Sequence, residues 1–320
     1  MIKIGIIDTI NEKGINLLKN NKNFSYEIVT DISKENLLKQ IPKFDGITLR
    51  RGKIDSEILN QCRNLKVISR HGVGYDNVDT QSLKEKNIKL LVAHNSTSTS
   101  PSEHAMFMIL NIYKGRGMFD KMVREGNFNK ALYLKIDDNF ELLGKTVLIV
   151  GFGRIGRKLI KKCLGFDMNV IVFDPNVHGD EIKSFGGLKV NDLNDALKNC
   201  DILSLSLPFN KDTKDLIKYE NLSLMRKNAI VINIARGGII NEDDLNRALN
   251  ENIIYFAGID VFAKEPPSKD NPLLKNPRVL LSPHAATFTK EGLEKMSLET
   301  VQNLIDYFED NLDPVKVVKT

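Results

Sequence analysis

A chain of 320 residues is about two domains' worth at ~150 residues each, long enough to bury a core without disulfides or metals. With 42% hydrophobic and 27% charged residues, 21 glycines and 10 prolines, its composition excludes a disordered or fibrous protein. The net charge of +5 fits either a solvated Lys- and Asn-rich surface or a preference for anionic ligands, but the basic residues are scattered, Trp is absent and aromatics are 7%, so nucleic acid is not expected as a partner.

The N-terminus, MIKIGIIDTI, carries one Lys and reaches Asp8 at once, so it reads as a buried strand and not as a signal peptide. No apolar run approaches the ~20 residues that span a bilayer, and no membrane partner is expected. Three widely spaced cysteines (Cys62, Cys163, Cys200) without a CxxC fit free thiols and a cytoplasmic location. Short β-branched runs at 2–8, 46–50, 66–69 and 89–93 alternate with amphipathic stretches such as 15–20 and 34–41. Strands alternating with helices predict βαβ units and a parallel sheet, here a four-strand block up to about Asn95.

A long helix should follow, capped by Ser100, with Pro101 at its first position and Glu103 in a capping box. Ala105, Met108, Ile109, Ile112 and Tyr113 share one apolar face of it. The stretch Phe119–Leu143 is weakly periodic yet carries Met122, Phe128, Leu132, Tyr133 and Leu134, which leads to the expectation that a second copy of the chain covers it in a homodimer. From residue 145, six apolar runs (146–150, 169–173, 202–207, 229–234, 255–259 and 279–282) give the strand count of a complete dinucleotide-binding sheet. A last amphipathic helix, with Leu298, Val301, Leu304, Ile305 and Phe308 on one face, should return to the N-terminal block. The expected fold is therefore α/β with two doubly wound parallel-sheet domains. One is a Rossmann dinucleotide-binding domain over 98–288; the other is a flavodoxin-like substrate domain, discontinuous over 1–97 plus 289–320, with the active site in the cleft between them.

Gly151-Phe152-Gly153-Arg154-Ile155-Gly156 is GxGxxG, directly after the strand VLIV and opening the helix IGRKLIKKCLG. That context aims amide N–H groups and a positive helix end at a pyrophosphate. Gly151 permits the tight turn, Gly153 the approach of the phosphates, and Gly156 close helix–strand packing. Asp174 ends the next strand, eighteen residues beyond Gly156, where a carboxylate accepts bonds from the adenosine ribose. A carboxylate there repels a 2′-phosphate and no Arg follows in DPNVHG, so NAD is favoured over NADP.

Three later segments each join a strand end to an ionisable residue: Ile234-Ala235-Arg236-Gly237-Gly238, Asp260 through Pro267 with Glu265, and Ser282-Pro283-His284-Ala285-Ala286. The trio suits hydride transfer at a hydroxyl-bearing carbon. Imidazole takes the hydroxyl proton near neutral pH, a carboxylate orients the imidazole, and an arginine fork holds the substrate carboxylate.

With these motifs (GFGRIG and Asp174, then 224–245, 258–267 and 271–286) the chain resembles the D-isomer-specific 2-hydroxyacid dehydrogenases. The resemblance implies NAD-dependent hydride transfer to or from a small anionic 2-hydroxy or 2-oxo acid. It makes Arg236 the substrate-binding arginine, Glu265 the partner of the histidine and His284 the general acid/base. It further implies that backbone N–H groups around Val73 and Gly74, in Arg70–Asp79, hold the substrate carboxylate. Arg50 then lies at the active-site mouth, and Arg154, Ile155, Pro208, Thr213, Ile234, Ala235, Asp260 and His284 touch the cofactor. Relatives often carry Trp in the dimer arm where this chain has Phe128.

For the substrate, GFGRIGRK and FDPN resemble the 3-phosphoglycerate dehydrogenase branch, and Arg50, Arg51, Lys53 and Arg70 supply cations for a phosphate. HGVGYDNVD is equally at home among hydroxypyruvate and glyoxylate reductases, the alternative. An ending near residue 320 leads to the expectation of no C-terminal regulatory domain and no serine feedback. A redox-sensing corepressor on the same scaffold is a third reading. Among the other histidines, His94 and His104 are expected to pack near the domain junction and His178 on a surface loop. His71 either fills its loop or binds an anionic group. No histidine or cysteine spacing suggests a metal site.

Overall fold

The computed structural model describes residues 1–96, 98–115, 117–131 and 139–319. They form two compact units, Met1–Thr97 with Thr287–Thr320, and Ser98–Ala286.

In the first unit, β1 (Ile2–Ile7), β2 (Phe24–Val29), β3 (Gly46–Leu49), β4 (Val67–Arg70) and β5 (Lys89–Val92) lie in the order β2-β1-β3-β4-β5. All pairings are parallel. This is the flavodoxin-like order, with its switch point between β1 and β3. Five strands are present where the alternation of apolar runs predicts four. The additional one, β2, is an edge strand whose central residues face solvent, including Tyr26 and Ile28, so it lacks a hydrophobic run. One face of the sheet packs Ile7, Ile47, Leu49 and Ile68 against helix residues Leu37, Ile58 and Leu83. On the other, Ile4, Ile6, Val67 and Leu91 meet Leu18 and, from the helix Lys290–Phe308, Val301, Leu304 and Ile305. Thr289 caps that helix by accepting the Gly292 N–H at 3.0 Å.

In the second unit, β6 (Thr146–Val150), β7 (Asn169–Phe173), β8 (Leu188–Val190), β9 (Ile202–Leu205), β10 (Ile230–Asn233), β11 (Phe256–Ile259) and β12 (Val279–Leu281) form a parallel sheet in the order β12-β11-β10-β9-β6-β7-β8. The Rossmann order is contained in it, with the switch point between β6 and β9. Here too the sheet has one strand more than the apolar runs predict. β8 is three residues long, at an edge, with none of them buried. Both faces are covered, by clusters around Val147, Ile149 and Ile232 on one side and Leu148, Leu203 and Val231 on the other.

The helix expected to start at a Ser100 cap runs Thr99–Tyr113, and its N-cap position is Ser98, without a side-chain capping bond. Pro101 remains in the first turn, where its missing N–H leaves no helical bond unmade. Glu103 reaches Lys162 at 3.9 Å instead of closing a capping box. Short helices at Met118–Arg124 and Phe128–Ala131 follow; Leu132, Tyr133 and Leu134 lie outside the described residues. Cys163 and Cys200 are buried and Cys62 is half-buried, all as free thiols. Among the described residues no helix is long and apolar enough to cross a membrane.

Candidate active site

The carboxyl ends of the seven-stranded sheet carry most of the residues singled out from sequence. At the end of β6 the chain turns through Gly151 at φ +100°, and a Cβ there would lie 2.5 Å from the Ser206 carbonyl oxygen. A Cβ on Gly156 would lie 2.3 Å from the Gly151 oxygen, which is why strand and helix can close on each other. A Cβ on Gly153 meets nothing within 4 Å, and as N-cap of Arg154–Leu164 this glycine makes no side-chain capping bond. The space over Gly153, at the N-terminus of this helix, is therefore open, which fits a dinucleotide pyrophosphate. Ile155 packs on the core behind it. Asp174, just beyond β7, accepts the Phe152 N–H at 2.8 Å and the Asn176 N–H at 2.9 Å, which fixes its carboxylate beside the glycine turn. Beyond β9, Thr213 donates its hydroxyl to the Pro208 carbonyl at 2.8 Å and closes that loop.

The three candidate catalytic side chains come from the ends of β10, β11 and β12. Glu265 Oε2 lies 2.7 Å from His284 Nδ1, and the Phe262 N–H reaches Glu265 Oε1 at 3.1 Å. Burial alone would raise the Glu265 carboxyl, but the hydrogen bond and charge of His284, the Phe262 amide and the charge of Arg236 outweigh it and hold the group below its ordinary value. Glu265 is thus an ionised acceptor between imidazole and guanidinium. With Nδ1 engaged, Nε2 is the imidazole nitrogen left for a substrate.

Arg236 is braced through its main chain. Asn233, buried at the end of β10, donates to the Arg236 carbonyl at 2.9 Å and accepts the Ala235 N–H at 3.0 Å, beside Ile234. Gly237 then passes directly over the next loop. A Cβ on it would lie 1.9 Å from the Phe262 carbonyl carbon, so only glycine brings the Arg236 and Glu265 segments together. Glu242 secures that loop by accepting the Ala263 N–H and the Asn271 side chain, each at 2.6 Å. Neither Asn233 nor Glu242 stands out in sequence.

His284 has φ +53°, a conformation that non-glycine residues adopt only when their surroundings enforce it. Asp260 supplies the enforcement. Its carbonyl accepts the His284 N–H at 2.7 Å, and its fully buried carboxylate accepts the Ala285 and Ala286 N–H groups at 2.7 and 3.0 Å. Asp260, expected as a cofactor contact, has both carboxylate oxygens committed to the turn that presents the histidine.

The remaining candidates lie in the five-stranded unit, at the carboxyl ends of β1, β3 and β4, around its switch point. The Arg70 guanidinium donates to the Gly74 carbonyl at 2.7 Å and to the carbonyls of Leu49 and Arg50. It therefore ties the Val73–Gly74 loop to the end of β3; a direct phosphate contact from Arg70 competes with those bonds. Arg51 makes a two-point ion pair with the buried Asp8, at 2.6 and 3.2 Å. Arg50 donates to the Thr9 carbonyl at 3.1 Å and lies over the Phe288 ring at 5.8 Å. His71 is buried, and its Nε2 lies 3.0 Å from Ser297 Oγ, which also accepts the Asn11 N–H at 2.9 Å. Burial, reinforced by the charges of Arg50 and Arg70, pushes its pKa down to about 3. His71 is a neutral interior side chain, so of its two expected roles the geometry supports loop filling.

Fold and site together define a two-unit α/β dinucleotide-binding protein with an acid–base pair at the sheet edge. Residues 106–286 match the D-isomer specific 2-hydroxyacid dehydrogenase NAD binding domain. Over 293 residues, 91% of the chain, it is 36% identical to a D-3-phosphoglycerate dehydrogenase of Methanocaldococcus jannaschii, covering 55% of that protein. With a hydroxypyruvate reductase of Thermotoga maritima it shares 31% identity over 306 residues, 94% of this chain and 97% of the relative. The solved structure of a glyoxylate reductase from Paecilomyes thermophila superposes with a TM-score of 0.85 at 25% identity, over 99% and 97% of the two chains. The chain belongs to the D-isomer-specific 2-hydroxyacid dehydrogenase family, and its cofactor is NAD. It spans about half the length of the phosphoglycerate dehydrogenases it matches.

Proposed function

We propose that the protein is an NAD-dependent D-2-hydroxyacid dehydrogenase, an oxidoreductase acting on the CH–OH group of a small 2-hydroxy acid or reducing the matching 2-oxo acid. The observation that carries this reading is the 2.7 Å Glu265–His284 pair with Arg236 close enough to act on the same carboxylate. Bound NAD supplies the hydride acceptor. The Gly151–Gly156 turn and Asp174 would hold it, with Pro208, Thr213, Ile234 and Ala235 along the sheet edge. In oxidation, His284 Nε2 takes the hydroxyl proton while ionised Glu265 stabilises the imidazolium; in reduction the proton returns from Nε2 to the carbonyl oxygen. Arg236 grips the substrate carboxylate and polarises the adjacent carbonyl, and the Val73 and Gly74 amides are the backbone anion donors proposed in the five-stranded unit.

For the substrate, we propose D-3-phosphoglycerate first, supported by the relatives of that name and by two guanidinium groups, Arg50 and Arg51, at the end of β3. Hydroxypyruvate or glyoxylate is favoured by a different observation: Asp8 matches the charge of Arg51, and Arg70 is turned onto carbonyls. The test follows NADH absorbance with phosphohydroxypyruvate, hydroxypyruvate, glyoxylate and other 2-oxo acids. Turnover of at least one, lowered ~10²–10⁴-fold in His284→Ala with NAD affinity nearly intact, is expected for a general acid/base. NAD binding with a flat response across the panel would instead support a redox-sensing binder.

A homodimer through 119–143 is also proposed, supported by the exposed Val123 and Phe128. A monomer in sedimentation at micromolar concentration would refute it. A cytoplasmic location is supported by the three free thiols.

A further inference from the structure

Asp260 has a neighbour that the acid–base pair does not use. His104, in the helix Thr99–Tyr113, packs its ring on Phe107 with 5.5 Å between ring centres, and its side chain is only 17% exposed. Its Nε2 lies 3.0 Å from Ser282 Oγ and 3.6 Å from Asp260 Oδ1. Ser282 Oγ is in turn hydrogen-bonded to Asp260 Oδ1.

The donors and acceptors fix the direction of this chain. Asp260 accepts a backbone amide on each carboxylate oxygen, Ala285 on Oδ1 and Ala286 on Oδ2, so it stands in this chain as an acceptor. The single hydroxyl proton of Ser282 therefore goes to Asp260, and the serine oxygen is left to accept from His104 Nε2–H. The bonds run from imidazole to hydroxyl to carboxylate, and the carboxylate holds the Ala285 and Ala286 amides beside the left-handed His284. A buried carboxylate needs each of its donors, because no water replaces a lost one.

We propose that His104 and Ser282 are positioning residues for the acid–base histidine: through Asp260 they fix the turn that presents the His284 imidazole. This rests on the reading of His284 as the acid–base group. Neither residue needs to touch substrate or cofactor.

The test uses the full chain with four variants: His104→Phe, His104→Gln, Ser282→Ala and the double His104→Phe/Ser282→Ala. Gln can place an N–H donor near the position of the imidazole Nε2. Hydrogen exchange at the Ala285 and Ala286 amides is read first, then kcat with NADH and the preferred 2-oxo acid, then the NADH dissociation constant. His104→Phe is expected to speed the exchange and lower kcat by about tenfold each, the scale of one hydrogen bond to a charged network, with NADH affinity within about twofold. His104→Gln should recover most of both losses, and the double variant should be no worse than Ser282→Ala alone. Wild-type exchange in His104→Phe overturns the inference, as does a Gln variant as impaired as Phe or a double variant with additive losses. An unmodified protein that turns over no substrate would sink the dehydrogenase reading instead, and the exchange measurement would still decide whether the brace exists.

Discussion

Lowering the pH should reveal His71 as a stability determinant outside the chemistry. Its buried imidazole is held neutral, with Ser297 Oγ at 3.0 Å and a pKa of about 3, against ~6.5 for an unfolded chain. The unfolded chain therefore binds the proton first on acidification. The stability this site confers is intact above ~6.5 and is lost as pH falls toward about 3. At pH 4.5 an unfolded imidazole is almost fully protonated and the folded one almost wholly neutral, so linkage gives a loss of about 2.6 kcal/mol relative to pH 7.5. Urea unfolding followed by circular dichroism at both pH values, in wild type and His71→Gln, isolates this contribution, since every other titrating group is common to both. Wild type should lose about 2–3 kcal/mol more than the variant. Equal losses would mean that His71 titrates near its ordinary value and is not held neutral by burial.

Glu265→Gln removes the charge that stabilises the imidazolium, and kcat should fall by about 10²-fold with NADH affinity unchanged, measured by steady-state kinetics and fluorescence titration. In Gly237→Ala the added methyl meets the Phe262 backbone, which cannot yield without moving the Glu265 loop. A lower melting temperature and a kcat reduced more than about tenfold are expected; a variant that melts and turns over like wild type would show that the two loops are not in register as described. Arg70→Met severs the bonds from β4 to Leu49, Arg50 and Gly74. It should raise KM for the 2-oxo acid by about tenfold while the NADH dissociation constant stays the same, so a matched loss in both would point to a general folding defect.

The legible parts of the sequence were those with local periodicity or a motif of fixed spacing. Central strands such as β6 and β10 are buried on both faces and read as continuous apolar runs; β2 and β8 are missed because these two edge strands bury little and carry no such run, whereas the edge strands β5 and β12 keep theirs. The glycine turn, Asp174, Arg236, Glu265 and His284, which the structure places at the carboxyl ends of the seven-stranded sheet, stand out in sequence because the proposed chemistry dictates their types. Their supports were not. His104 and Ser282 are 178 positions apart, and Glu242 meets Ala263 across 21. Each is a single polar residue without a local pattern, so its role exists only once the sheet is assembled. The partners of Arg51 and Arg70 were hidden for the same reason, which is why a count of basic residues overstated the cations open to a phosphate.

This division has a physical basis. A proton-transfer group must meet its substrate within a few tenths of an ångström, and rigid placement of that kind needs buried neighbours with no alternative partner. Asn233 holds the main chain at Arg236, the Phe262 amide holds Glu265, and Asp260 holds the turn of His284 in a backbone conformation it would otherwise avoid. The exposed side chains proposed to carry the chemistry, His284 and Glu265 among them, owe little of their placement to their own packing. Substitutions among the buried supports should therefore act on kcat through geometry, and their effects should be non-additive with those of the groups they hold. A double-mutant cycle between Asn233→Ala and Arg236→Lys should give a coupling of roughly 1 kcal/mol or more, whereas strict additivity would mean that Arg236 finds its position without Asn233.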